Sequence, residues 1–177
     1  MTDHRLSREW RRRIEDHDGG NTHEGGIERW LILAEGVGLN RQYVETTDGA
    51  LPATKFAVEA YVNFVRHQPL FNGIASSLTE LFAPALHRKR ISGLLEHYKF
   101  ANKATLAYFQ KRLDQAPRDV KFGLDWVLEN ANTPEKQAGA ITALNFKCDV
   151  LWAQLDALYF AYVDPQLVPP NAWKPEK

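Results

Sequence analysis

The segment at residues 138–163 constrains the fold more than any other part of the chain. It contains no proline, and a strong helix start precedes it: Thr133 as N-cap, Pro134 in the first turn and the acid Glu135 at the positive helix end. Apolar side chains surround almost the whole circumference of this helix, which is typical of an element covered by other helices on every side. The sequence therefore predicts that 138–163 is the most buried helix, central to the fold.

The rest of the chain repeats its apolar residues with helical period, and its Gly and Pro residues fall between the periodic segments. Pro84 is expected to kink one helix or to start a new one, and Ala116-Pro117 is expected to separate two others. No segment alternates as a strand would. We therefore predict an all-α fold with further helices at 7–17, 27–38, 53–67, 70–82, 84–97, 102–115 and 118–132.

The expected organisation is a single helical domain at residues 1–163 and a Pro-rich arm or linker at 164–177. Prolines at 165, 169, 170 and 175 prevent the last segment from being helical throughout. No internal repeat or low-complexity tract divides the chain further.

Charge and cysteine content limit the function classes. The chain has 22 Lys plus Arg and 22 Asp plus Glu, so no net basic field attracts nucleic acid or anionic lipid. Its longest apolar run, 157–163, is far shorter than the ~20 residues of a membrane helix. A lone cysteine, Cys148, which we expect to be buried, favours a reducing compartment. The expectation is a cytoplasmic protein with neither a nucleic-acid nor a membrane partner.

Known catalytic and metal-binding motifs are missing from the sequence. The loop at residues 16–24 is rich in His, Asp and Glu, but its spacing matches no established metal site, and solvated loop acids are the expected interpretation. Glu-x-x-His, His-Glu-x-x-His, Gly-x-Gly-x-x-Gly and Gly-x-Ser-x-Gly are all absent. We therefore predict no metal site and no nucleotide or serine-hydrolase chemistry.

Several polar residues nevertheless occupy apolar helix faces. The helical neighbours of Lys147 are all apolar, so its charge requires either an internal acid or a ligand carboxylate. His87 and Arg90, three residues apart, share a face and are pocket candidates. For Lys147 the pattern favours neither a structural nor a pocket role. His87, Arg90, Tyr61, Tyr108 and Arg112, taken one at a time, are better explained by structural roles than by catalytic ones.

Five long strings carry a resemblance to a known family, the pyrroloquinoline quinone (PQQ) synthases. They occur in family order at 10–19 (WRRRIEDHDG), 25–30 (GGIERW), 56–64 (FAVEAYVNF), 76–84 (SSLTELFAP) and 146–152 (FKCDVLW). The resemblance implies an all-α, haem-oxygenase-like helical bundle that works as a homodimer. It also implies ring closure and eight-electron oxidation of a bicyclic quinone precursor by O2, which yields PQQ and hydrogen peroxide without metal or organic cofactor.

The resemblance also implies the site residues, carried over position by position. Those expected to be catalytic are His17, His87, Tyr108, Arg112 and Lys147, and those expected to bind substrate are Tyr61, Arg90, Arg112 and Lys147. The residue types suit the chemistry, because Arg and Lys pair with the carboxylates of a tricarboxylate quinone. Histidines and tyrosine can exchange protons near neutral pH while the quinol reduces oxygen.

The resemblance further implies that this chain is N-terminally shortened relative to the family, whose earlier helices contribute pocket residues. We therefore expect weak quinone binding, poor turnover and an exposed apolar face on the 138–163 helix. The Pro-rich tail resembles a linker to a peptide-chaperone domain, the D protein of the pathway. The alternative function is a non-catalytic helical module that binds the quinone or dimerises with an intact homologue.

Overall fold

The structure, a computed structural model, describes residues 3–175, and within this range every regular element is a helix. The elements are α1 (His4–Asp18), α2 (Gly26–Gly36), α3 (Arg41–Thr46), α4 (Pro52–His67), α5 (Leu70–Ser76), a 3-10 helix (Ser77–Phe82), α6 (Ala83–His97), α7 (Ala107–Asn130) and α8 (Pro134–Tyr162). The prediction of an all-helical chain is confirmed for these residues.

Local capping interactions define the helix ends, and the cap predicted at Thr133 is confirmed, whereas α1 begins three residues before its predicted start at residue 7. Asp3 caps α1, because its carboxylate accepts hydrogen bonds from the backbone N–H groups of Arg5 and Leu6. Thr133 caps α8 through its hydroxyl oxygen, 3.3 Å from the backbone nitrogen of Lys136. α1 ends at Gly19, whose φ of +85° is accessible to glycine and whose N–H donates to the Glu15 carbonyl over 2.9 Å.

The break predicted at Ala116-Pro117 is wrong, because α7 continues through Pro117 as one helix. Pro117 lies on the exposed side, whereas Ala116 is fully buried and continues the inward face of the helix. The cost of one missing N–H is offset by burial along that face. Three smaller differences concern other segments. The helix predicted at 70–82 is α-helical only to Ser76 and continues as the 3-10 helix, residues 102–106 form a bend and turns before α7, and the short α3 was not predicted.

The described residues form two compact units. The first contains residues 3–45 and 83–119, with a core built around Leu6, Leu31, Ala34, Leu106, Phe109 and Ala116. The second contains residues 46–82 and 120–175, where α8 contacts α4, α5 and the 3-10 helix. Its core includes Ala57, Phe71, Ile74, Leu78, Val127, Ala143 and Val150. The single domain expected at 1–163 stays a prediction.

The prediction that 138–163 is the most buried helix is wrong. On α8 only Ala143, Val150 and Ala161 are buried, whereas Trp152 is 69% exposed and Leu155 is 63% exposed. The reason is that its neighbours in the second unit cover one side of α8, and the apolar side chains opposite remain in solvent. The apolar face expected to be exposed is therefore present. Cys148 also lies on α8 and is exposed, which corrects the expectation that it is buried.

The tail is non-helical over residues 164–175, as its prolines predict, and it returns to the second unit. The Trp173 N–H donates to the Gly49 carbonyl over 2.8 Å, and the Tyr162 hydroxyl donates to the Trp173 carbonyl over 2.9 Å. Ala172 is buried with Leu51 and Ala161. None of the helices within residues 3–175 combines the length and the hydropathy needed to cross a membrane.

Candidate active site

The predicted site residues fall into two groups, one in each unit. His17, His87, Arg90, Tyr108 and Arg112 belong to the first unit, and Tyr61 and Lys147 belong to the second. Each group is described within its own unit.

In the first unit, the Gly25-Gly26 turn brings His17 and Tyr108 close together at the N-terminus of α2. A β-carbon on Gly25 would overlap the carbonyl oxygen of His17. A β-carbon on Gly26 would lie 3.0 Å from His17 Nδ1 and 3.2 Å from Tyr108 Cε2. Gly26 therefore leaves out the side chain that would separate this imidazole from this phenol, and Gly25 allows the close approach of the α1 backbone.

His87 lies inside the first unit with an unpaired ring nitrogen. It is 9% exposed, and its ring lies 6.2 Å from that of Tyr108 and 5.8 Å from that of Phe109, centroid to centroid. Its Nδ1 is buried and accepts or donates no hydrogen bond to the described residues. Burial lowers the pKa of His87 first, and the positive charges of Arg90 and Arg112 lower it further. The imidazole is therefore neutral at pH 7, with one nitrogen able to accept a proton.

Arg90 borders an apolar groove of the first unit. Its guanidinium carbon lies 5.3 Å from the centre of the Phe109 ring, and Trp30 packs on Tyr108 with 4.8 Å between ring centroids. The groove has a volume of about 660 Å³, and its apolar lining includes Leu33, Ala34, Leu94 and Phe100. A cation at the edge of aromatic and aliphatic surface suits a planar ring that carries a carboxylate.

Arg112 has a buried acid partner that the sequence analysis missed. Its Nη1 donates to Asp119 Oδ2 over 3.0 Å, and the two residues are 4% and 3% exposed. Asp119 follows Arg112 by two helical turns on the buried face of α7, and this spacing is the only signal in the sequence. The expected binding of substrate carboxylates by Arg112 stays a prediction. In the structure, Asp119 holds its guanidinium.

In the second unit, Lys147 lies directly over Tyr61. The Nζ atom is 3.4 Å from the centre of the Tyr61 ring, a cation–π contact between α8 and α4. Phe64 and Phe146 stack beside them, with ring centroids 4.4 Å apart. Lys147 and Tyr61 were predicted as site residues independently of each other, and in the structure their side chains are in contact.

The hydroxyl of Tyr61 has a defined donor role. Its oxygen lies 3.0 Å from Ser76 Oγ, and the Ser76 hydroxyl donates its one proton to the Gly73 carbonyl over 2.7 Å. The Tyr61 hydroxyl is therefore the donor to Ser76. Burial raises the pKa of Tyr61, an effect that the Ser76 hydrogen bond opposes and the charge of Glu80 supports. Tyr61 therefore keeps its proton throughout the neutral range.

Burial also lowers the pKa of Lys147, and the negative charge of Glu80 offsets part of this effect. The ammonium is thus held in an environment that disfavours its charge, in contact with the Tyr61 ring. An anionic ligand beside Nζ would relieve that cost. This arrangement favours carboxylate binding at Lys147.

Metal-ligating residues do not converge in the described part of the chain. No group of three or more His, Cys, Asp or Glu side chains is placed to hold an ion among residues 3–175. In the 16–24 loop, Gly20 and His23 pair through their backbones, and the His23 side chain is exposed. The absence of a metal in the reaction stays a prediction.

Comparison with known proteins reveals close relatives along most of the chain. A pyrroloquinoline-quinone synthase of Rhizobium rhizogenes is 60% identical over 171 residues, 97% of this chain and 69% of that protein. The pyrroloquinoline-quinone synthase of Rhizobium meliloti is 63% identical over 168 residues, 95% of this chain and 66% of its own length. The bifunctional coenzyme PQQ synthesis protein C/D of Methylorubrum extorquens is 59% identical over 175 residues, 99% of this chain and 47% of that protein.

A family-wide comparison gives the same result. The sequence model of the TENA/THI-4/PQQC family matches residues 1–157. The helical structure of residues 3–175 and this match confirm the predicted all-α, haem-oxygenase-like fold class. The resemblance to the PQQ synthases is confirmed as well, and this chain belongs to the TENA/THI-4/PQQC family.

Proposed function

We propose that this chain catalyses the last step of PQQ biosynthesis, the ring closure and eight-electron oxidation of the bicyclic quinone precursor by O2. The products are PQQ and hydrogen peroxide. The relatives named pyrroloquinoline-quinone synthase support this reaction, since about 60% of their aligned residues are identical to this chain over almost its whole length. The observation in the structure that carries the proposal is the buried, neutral imidazole of His87 with its unpaired Nδ1.

His87 supplies the general base that this chemistry requires. In one oxidation step the substrate loses two electrons and two protons, and O2 becomes hydrogen peroxide. The difficult event is removal of a proton from carbon or nitrogen, which makes the ring electron-rich enough to reduce oxygen. A neutral imidazole with a free nitrogen can accept that proton. His17 and Tyr108, which meet beside Gly26, are proposed as further proton-transfer groups.

The cations are proposed to bind the carboxylates of the substrate. Lys147 gains most from a ligand anion, because burial disfavours its charge and Tyr61 gives it only an aromatic face. Arg90 borders an apolar groove and can pair with a carboxylate through two parallel hydrogen bonds. Arg112 adds positive potential from the position that Asp119 gives it.

The reaction is proposed to use O2 as co-substrate and no resident metal or organic cofactor. Elemental analysis of the purified protein, together with turnover before and after treatment with a chelator, tests this part of the proposal. Unchanged turnover in the chelator is expected. Stoichiometric iron or zinc whose removal abolishes turnover would contradict it.

The proposed assembly is a homodimer with a working link to the D protein of the pathway. The exposed apolar side chains of α8 favour association with a second copy. A relative named as a bifunctional C/D protein supports the link, because that protein matches this chain over 47% of its own length. Sedimentation analysis of this chain alone, and with added D protein, tests both parts.

The competing function is a helical module that binds the quinone without oxidising it. The exposed face of α8 is the observation that favours this alternative. Oxygen uptake with the bicyclic precursor, measured beside the Rhizobium rhizogenes synthase, separates the two functions. Uptake accompanied by PQQ supports the enzyme, whereas PQQ binding without uptake supports the module.

A further inference from the structure

Asp119 is a buried carboxylate surrounded by arginines in the first unit. Besides Arg112, it accepts hydrogen bonds from Arg118, whose Nε and Nη2 lie 3.1 and 2.9 Å from Oδ1. The Nε atom of Arg13 on α1 lies 4.0 Å from the same oxygen. One acid therefore compensates guanidinium groups from two helices. Removing the negative charge of Asp119 would leave buried positive charge without compensation.

The pairing of Arg112 with Asp119 follows from the buried face of α7. The two residues are two helical turns apart, and the fully buried Ala116 lies between them on that face. A small side chain at this position leaves room for the arginine to extend along the helix toward the carboxylate. Asp119 thereby fixes the direction in which the Arg112 guanidinium points.

Asp119 also takes part in the contacts between α7 and the last turn of α1. Arg118 is paired with Asp16, the residue before His17. Arg13 donates a hydrogen bond to the backbone carbonyl of Asp119. The turn of α1 that carries His17 is therefore tied to α7 at residues 118 and 119.

We propose that Asp119 is a positioning residue for the oxidation, because its buried carboxylate holds Arg112 and, through Arg118 and Asp16, the α1 turn that carries His17. The inference rests on the proposed function, because that function assigns Arg112 and His17 to the active site. Asp119 is not expected to touch substrate.

Neutralising Asp119 also has an electrostatic consequence at His87. The charged and titratable groups around His87 are Arg90 on its own helix α6, and Tyr108 and Arg112 on α7. With Asp119 neutralised, the charge of Arg112 is less compensated, and the pKa of His87 falls further below its ordinary value.

The experiment compares Asp119→Asn and Asp119→Glu with Asp125→Asn, a matched control. Asp125 lies on the same helix, but it is exposed and pairs with the exposed Lys121. The His87 imidazole is titrated by NMR in each variant and assigned with His87→Gln. Affinity for PQQ is measured by fluorescence quenching. Neither measurement requires turnover, so failure of this inference is distinguishable from failure of the proposed function.

The expected result in Asp119→Asn is a lowered His87 pKa and at least tenfold weaker PQQ binding. Loss of a negative charge by itself would strengthen binding of the anionic PQQ, so weaker binding reports that Arg112 and the His17 turn have lost their positions. Both values are expected to be restored in Asp119→Glu and unchanged in Asp125→Asn. An unchanged His87 pKa with parental PQQ affinity in folded Asp119→Asn would overturn the proposal.

If Asp119→Asn does not fold, Arg118→Gln provides the test, because Arg118 is part-exposed and its removal cuts the link to Asp16 while leaving Arg112 paired. Faster amide exchange around His17 with weaker PQQ binding is then expected. Parental exchange and affinity would contradict the proposal.

Discussion

At the scale of single residues, burial changes the pKa values of His87 and Lys147 in the same direction. His87 and Lys147 both have lowered pKa values, and in each case burial is the main cause. For the histidine this keeps a base unprotonated, and for the lysine it leaves a cation whose charge is stabilised when an anion binds. One physical effect thus provides a proton acceptor and a carboxylate-binding group.

Replacing His87 with Gln is expected to reduce kcat by about 10²–10⁴-fold, because the general base is lost. His97→Gln is the control, since His97 lies on the same helix and is exposed. Steady-state oxygen uptake with the precursor measures the effect. Equal losses in both variants, or none in His87→Gln, would remove His87 from the chemistry.

His87 should also make stability depend on pH. Its pKa is lower in the folded protein than the ordinary 6.5 of the unfolded chain, so the unfolded state takes up the proton first as pH falls. The free energy of unfolding is therefore expected to decrease below about pH 6.5, and less steeply in His87→Gln than in the parent. Urea unfolding at pH 7.5 and 5.5 tests this, and identical pH dependence in both proteins would contradict it.

Lys147→Met separates a ligand role from a structural one. At neutral pH the half-buried ammonium costs stability, while its contact with Tyr61 contributes about 0.5–2 kcal/mol. The stability of the apo protein should therefore change by about 1 kcal/mol or less, or increase. Affinity for PQQ should fall about tenfold or more. Lys121→Met, at an exposed position, is the control. Equal PQQ affinity in mutant and parent would exclude Lys147 from the site.

The sequence identified the chemical types of these residues but not all of their partners. Tyr61 and Lys147 lie on different helices, so nothing in the local pattern could predict that they meet. Asp119 was missed because an Arg and an Asp two turns apart have no short-range signature. Arg112 was selected by resemblance, and its buried acid emerged only from the packing of α7.

At the scale of helices, start signals were predictable and burial was not. Thr133 precedes α8 as its N-cap, where expected, because capping is a local property. Pro117 was interpreted as a break, whereas burial on the opposite side of α7 keeps the helix continuous. The apolar circumference of α8 predicted burial on all sides, yet exposure depends on which neighbours are present.

This difference predicts contrasting costs for two core-type substitutions. Ile74→Ala on α5, where the side chain is 1% exposed, should lower the free energy of unfolding by about 2–5 kcal/mol. Leu155→Ala on α8, at a side chain 63% exposed, should cost no more than about 0.5 kcal/mol. Urea unfolding at low protein concentration measures both. A large loss at Leu155 would mean that its side chain is buried in solution.

At the scale of the whole molecule, the helices of this chain leave a row of apolar side chains on α8 exposed to solvent. Leu151, Trp152, Leu155 and Tyr159 follow one side of α8, and all four are exposed. The matches cover 69% and 66% of the two synthases from Rhizobium, whose sequences therefore continue beyond the matched region. The fold class and family were predictable from sequence, but the exposure of this face needed the structure.

Such a surface is expected to cause self-association and binding of an apolar dye. Trp152→Glu should weaken both without changing the helical circular dichroism, since Trp152 is 69% exposed and packs little within the chain. Glu59→Gln, at an exposed acid of α4, is the control. Sedimentation velocity across a concentration series is the measurement, and a monomer at every concentration without dye binding would contradict the expectation.

A single-turnover reaction tests most directly whether this chain oxidises the bicyclic precursor to PQQ. The chain is in excess over the precursor in air-saturated buffer, because excess protein reveals even slow catalysis. PQQ is followed by its absorbance and by chromatography, and hydrogen peroxide is measured in the same samples. We expect the precursor to become PQQ with release of peroxide, and His87→Gln to slow this conversion about 100-fold or more. Recovery of bound but unoxidised precursor, or conversion at the same rate in His87→Gln, would contradict this expectation.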